Sequence, residues 1–175
     1  MKSVFSLKTM LTFILLATFT FSAFSQLNLP RKSPKSSISY TVGLTDITIN
    51  YSSPGVNDRE IWGALEPYNE IWRAGANEAT TMEFSTDIMI ENQKVPAGKY
   101  SFFIIPKAEG DWTLIFNKVA DQWGAYRYDE KQDALRVEVT PAAIDNVETM
   151  EFIIEGSSVI LRWEKVSVGF TVEAG

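Results

Sequence analysis

The chain contains no histidine and no cysteine. Without them there is no Ser-His-Asp triad, no Cys-His pair and no ordinary zinc site. Carboxylates, lysine, tyrosine, arginine and hydroxyls are the groups left for catalysis. Without cysteine, a folded domain must also rest on its core rather than on disulfides. Positive charge is scarce too: 16 Lys and Arg stand against 22 Asp and Glu, a formal net charge of −6. Phosphate backbones repel a chain this acidic, so nucleic acid is not an expected partner. Nor is there a long hydrophobic run. The apolar stretch Leu11–Phe21 is broken by Thr12, Thr18 and Thr20, and a membrane helix needs roughly 20 apolar residues.

That stretch has the form of an export signal. Lys2 and Lys8 precede it, and Ala23-Phe24-Ser25 follows with small residues at the two positions a signal peptidase reads. Residues 1–25 are therefore expected to be a signal peptide, with a mature start near Gln26 in the periplasm or outside the cell. No cysteine follows, which excludes lipoprotein processing. Cleavage after Ser25 removes two lysines and no acid, so the mature chain is more acidic still. The remaining length of about 150 residues suits one domain. Residues 26–37, with Pro30 and Pro34, read as an extended basic arm, and residues 38–175 as the domain.

The domain carries strand signals almost throughout. Ile38, Tyr40 and Val42 share one face, and Ile47, Ile49 and Tyr51 alternate with Asp46, Thr48 and Asn50. Further strands are expected at 81–85, 88–90, 100–105, 112–116, 135–139, 150–154, 159–163 and 166–172. Between Asp58 and Trp72, Asp58 and Pro67 predict two short helical turns in one long connection. Many short strands and no long helix predict an all-β fold, an antiparallel β-sandwich.

The segment Trp72-Arg73-Ala74-Gly75-Ala76-Asn77-Glu78-Ala79-Thr80 is the candidate functional stretch. Its small residues allow close backbone approach, and Gly75 and Asn77 suit positive φ. Arg73 and Glu78 are read in two ways. Arg73 binds an anionic or polyol ligand while Glu78 accepts a hydrogen bond or acts as a base, or the two form an internal ion pair that holds the loop on the sheet. In either case both are expected to share a pocket or meet each other, with Trp72 and Tyr51 packed nearby. The loop Trp123-Gly124-Ala125-Tyr126 is expected to face them, either as an aromatic platform for a planar or sugar ligand or as a cap on the core. Glu60, Glu66, Glu70 and Glu78 fall near this stretch, and a pair about 5–10 Å apart would suit glycoside hydrolysis. Asp129, Glu130 and Asp133 match no calcium loop and read as a solvated acidic turn.

Several blocks carry a resemblance. Thr41–Asp46, Tyr51–Val56, Trp72–Thr80, Pro96–Ser101, Ile115–Lys118 and Gln122–Tyr126 together resemble an exported bacterial family, domain of unknown function 2911, over nearly the whole mature chain. The resemblance implies an exported, mostly β domain in its single-domain form. It implies no activity and no catalytic residues.

The functional expectation is a non-catalytic binding module for a glycan or small polar ligand, with Tyr51, Trp72, Arg73, Asn77, Glu78, Trp123 and Tyr126 as candidate ligand-binding residues. No cofactor, metal or catalytic residue is expected. A carboxylate-based glycan hydrolase and a scaffold within an envelope complex are the alternatives.

Overall fold

The computed structural model describes residues 30–175. The expected signal peptide, and the start of the expected arm, lie outside the described residues. Residues 32–175 form one compact unit built from ten strands: β1 Lys35–Val42, β2 Thr45–Ser52, β3 Thr80–Phe84, β4 Ile88–Ile90, β5 Gln93–Val95, β6 Gly98–Ile105, β7 Trp112–Asn117, β8 Asp133–Val139, β9 Ala142–Glu155 and β10 Ser158–Ala174. All pairings between these strands are antiparallel. One sheet has the order β1-β2-β3-β6-β7-β8 and the other β5-β4-β10-β9, the expected sandwich.

The alternation of apolar residues explains the two layers. In β6, Phe102 and Ile104 face the small sheet while Ser101, Phe103 and Ile105 face away. Phe102 meets Phe152 at 6.1 Å and Phe170 at 5.9 Å between ring centroids, and Phe116 meets Phe170 edge-on at 5.2 Å. Beside them, four of the five tryptophans pack together. Trp62 lies 5.4 Å from Trp72 and 4.8 Å from Trp112, and Trp72 stacks on Trp163 at 5.7 Å. A smaller cluster of Ala79, Phe103 and Ile115 lies on the outer face of the large sheet. Tyr128 closes over Phe103 at 5.3 Å, so the loop after β7 is packed down on that face.

Several details depart from the sequence reading. Residues 58–72 are turns and isolated bridges rather than helical turns, tied by Gly63 N to Glu66 O at 2.9 Å and Glu66 N to Ile61 O at 2.9 Å. The short 3₁₀ segment lies at Glu130–Gln132, capped by the Asp129 carboxylate. The two expected strands at 159–163 and 166–172 are one strand, because β-bulges around Glu164, at φ 53°, absorb the polar Glu164-Lys165 pair between them. β9 begins at Ala142 rather than near Met150, since its first half is largely solvated and shows no alternation. β1 begins at Lys35, three residues before the expected Ile38.

Candidate functional site

The register of the large sheet aligns five small polar residues across five strands. Ser37 opposes Asn50, Asn50 opposes Thr81, Thr81 opposes Ser101, and Ser101 opposes Asn117. Directly paired residues share a face, so this row lies on the outer side, opposite the aromatic core. Its two halves do different work. Ser101 and Asn117 hold the loop after β7. Ser101 Oγ donates to Val119 O at 2.8 Å, while fully buried Asn117 donates to Asp129 O at 2.9 Å and to Asp133 Oδ1 at 2.8 Å, and accepts from Val119 N at 3.0 Å. Ser37, Asn50 and Thr81 are left uncovered by that loop and line a cleft of about 600 Å³.

The loop edge and the functional stretch build the cleft wall together. Ala79 N donates to Gln122 O at 3.0 Å and Gly124 N donates to Asn77 O at 3.0 Å, so residues 77–79 and 122–124 run as a short antiparallel ladder with Glu78 opposite Trp123. Gln122 is buried and donates through Nε2 to Val119 O at 3.0 Å and Ser101 Oγ at 3.3 Å. Its Oε1 has no hydrogen-bond partner among the described residues. Trp123, pinned by its neighbours, keeps 55% of its surface exposed at the rim.

Charge enters at both ends in compensated form. Lys35 Nζ lies 3.3 Å from Glu78 Oε1 and Lys99 Nζ lies 2.9 Å from Asp121 Oδ1, and all four residues line the cleft. β1, which carries Lys35, and β6, which carries Lys99, are three positions apart in the sheet. At about 4.8 Å per strand spacing the two pairs bracket a floor on the order of 14 Å wide.

The functional stretch takes its shape from close approach. Positive φ falls on Ala74 (48°) and Asn77 (61°), not on Gly75. Gly75 is required for space: a Cβ there would lie 3.0 Å from Ser52 O and 3.0 Å from Thr80 Oγ1. The Thr80 hydroxyl donates to Ala74 O at 2.7 Å and closes the loop on itself.

The seven candidate residues are distributed unevenly. Glu78, Tyr51 and Trp123 line the cleft, although the Tyr51 ring packs edge-on to Phe152 at 5.0 Å and its hydroxyl accepts from Phe152 N at 3.3 Å. Asn77 supports the wall through its backbone carbonyl. Trp72 is a core residue, 3% exposed. Reciprocal hydrogen bonds with Ile104, at 2.8 and 2.9 Å, turn its indole toward Trp163, and its Nε1 donates to Gly75 O at 3.2 Å. Arg73 does not line the cleft. Its Nε donates to Gly75 O at 3.3 Å, and the ion pair seen for Glu78 is with Lys35, a residue assigned to the arm by sequence. Tyr126 lies outside the cleft lining and is 83% exposed.

Sequence reasoning missed Lys35, Ser37, Asn50, Thr81, Lys99, Asp121 and Gln122. Their signal is slight, since each is an ordinary polar residue at an outward strand position or in a loop. The acidic residues after the loop are structural. Tyr128 Oη donates to Asp133 Oδ2 at 2.6 Å, and Arg136 Nη1 reaches the same oxygen at 3.2 Å. Burial, reinforced by that bond to Asp133, raises the Tyr128 phenol well above its ordinary range. Glu66 sits in the connection before the stretch. Burial pushes its carboxyl up to about 7 against the opposing pull of Arg73 and Arg59.

No curated protein and no solved structure matches the chain. A family model does, over residues 33–172, which takes in β1 to β9, β10 as far as Val172, and every cleft residue just described. The chain therefore belongs to the family described as "Protein of unknown function (DUF2911)".

Proposed function

We propose that this protein is a non-catalytic binding module that takes an uncharged polar ligand, a short glycan segment, in the cleft on the outer face of its large sheet. The observation that carries the reading is the exposed Trp123 indole, held by a backbone ladder beside a floor of Ser37, Asn50 and Thr81. An aromatic face supports the apolar face of a sugar ring, while hydroxyl and amide groups exchange hydrogen bonds with its edge. The compensated pairs Lys35–Glu78 and Lys99–Asp121 favour a neutral ligand, because a net charge would meet its own sign on each wall. The size, about 600 Å³, lies within the range of small-molecule sites.

Glu78 and Asp121 are the carboxylates on the cleft wall, which supports hydrolysis as the second reading. Each is engaged by a lysine, so neither meets a glycosidic oxygen without first breaking an ion pair. The reading includes export, on the strength of Lys2, Lys8, the apolar run and Ala23-Phe24-Ser25, and N-terminal sequencing of the mature protein should give Gln26. The function is tested by calorimetric titration of neutral oligosaccharides into the wild type, Trp123→Ala and Asn50→Ala, with product analysis of each mixture. Binding lost in both variants, with unchanged circular dichroism and no product, supports the module. Binding unaffected by both variants refutes the site, and product formation that disappears in Glu78→Gln or Asp121→Asn replaces the module with the hydrolase.

A further inference from the structure

The loop that supplies Trp123 also carries Tyr126, the more exposed of the two at 83% against 55%. Their Cα atoms are at most about 11 Å apart, three residues at 3.8 Å each. A single exposed aromatic is ordinary, but two exposed this near each other form a patch of the kind that marks a contact surface. The backbone beneath them is held at several points: Ala79 N to Gln122 O at 3.0 Å, Gly124 N to Asn77 O at 3.0 Å and Tyr128 N to Ala125 O at 3.1 Å. Ala125 and Tyr128 are packed on the outer-face cluster. The exposure of Tyr126 is therefore presented by a braced loop.

Arg73 reaches the same place from behind. A Cβ on Gly124 would lie 3.0 Å from Arg73 Nη1 and 3.2 Å from Tyr126 Cε2, so the guanidinium and the phenol ring both crowd this glycine. Gly124 adopts φ 61° and leaves the two side chains side by side at the outer edge of the Trp123 wall. An arginine and an aromatic ring together, just past a cleft with a tryptophan at its rim, offer a second contact point.

Resting on the glycan-binding reading of the cleft, we infer that the ligand is a polymer rather than a single small sugar: its chain leaves the cleft past Trp123, stacks one further ring on Tyr126 and accepts hydrogen bonds from Arg73. The guanidinium supplies fixed donors suited to hydroxyl oxygens, and a braced loop loses little entropy on contact.

The test is a length series of β-linked glucose and N-acetylglucosamine oligomers, two to six rings, titrated into wild type, Tyr126→Ala and Tyr126→Phe. Wild-type affinity should rise by roughly three- to tenfold once the oligomer outgrows the cleft, the size of one added aromatic contact. Tyr126→Ala should flatten that rise while leaving the shortest bound oligomer unchanged, and Tyr126→Phe should keep most of it. Affinity independent of length, or a rise that Tyr126→Ala leaves intact, overturns the inference and spares the cleft. Absence of binding by every oligomer overturns both.

Discussion

Replacing Glu66 with glutamine should make the protein more stable at pH 8 and leave it unchanged at pH 4. The Glu66 carboxyl is raised from an ordinary 4.5 to about 7, chiefly by burial, with Arg73 and Arg59 pulling the other way. The native state thus holds a proton that the unfolded chain releases. Between those two values the native state binds more protons than the unfolded one, so stability falls as pH rises. The loss begins near 4.5 and is complete above 7. The difference, 7 − 4.5 = 2.5, corresponds to about 3 kcal/mol at 1.36 kcal/mol per pKa unit. Glu66 is only partly shielded from water, and screening reduces the figure to about 2 kcal/mol. Glutamine keeps the shape and removes the titration. Urea unfolding of wild type and Glu66→Gln at intervals from pH 4 to 8 measures the difference directly. It should be near zero at pH 4 and grow to about 2 kcal/mol in favour of the variant. A difference that stays flat with pH, or that grows toward acid, would refute the argument.

Three other substitutions follow from the site. Gly75→Ala places a methyl 3.0 Å from both Ser52 O and Thr80 Oγ1 and should cost about 1–3 kcal/mol by forced backbone movement; an unfolding midpoint equal to wild type would remove close approach as the reason for that glycine. Asn117→Ala strips partners from Val119 N, Asp129 O and Asp133. It should cost about 2–4 kcal/mol, with hydrogen exchange accelerating first across residues 118–129 rather than in the sheets. Glu78→Gln acts on a pair whose side chains are 67% and 37% exposed and should cost no more than about 1 kcal/mol by chemical denaturation; a loss of 3 kcal/mol or more would restore a buried structural role to Glu78.

Much of the fold is written locally. Alternation in 47–51 and 81–85 makes strands with one apolar face, and turn residues separate the strands, so a sandwich is the consistent outcome. The absence of histidine and cysteine, the acidic balance and the small-residue block are equally plain in one dimension. Strand joining is not. Whether β10 is one strand or two turns on bulges at Glu164, whose backbone conformation is fixed by pairing with β9 and not by its own residue type.

The cleft belongs wholly to tertiary structure. Ser37, Asn50, Thr81, Ser101 and Asn117 are scattered across 81 positions (37 to 117), and only register places them in one row. A shift of one residue in any pairing would turn part of that row into the core. Arg73 and Glu78 lie five apart in sequence, yet the ladder with residues 122–124 sends one toward Tyr126 and the other toward Lys35. Periodicity fixes which face a side chain takes; long-range hydrogen bonding fixes which side chains it meets there.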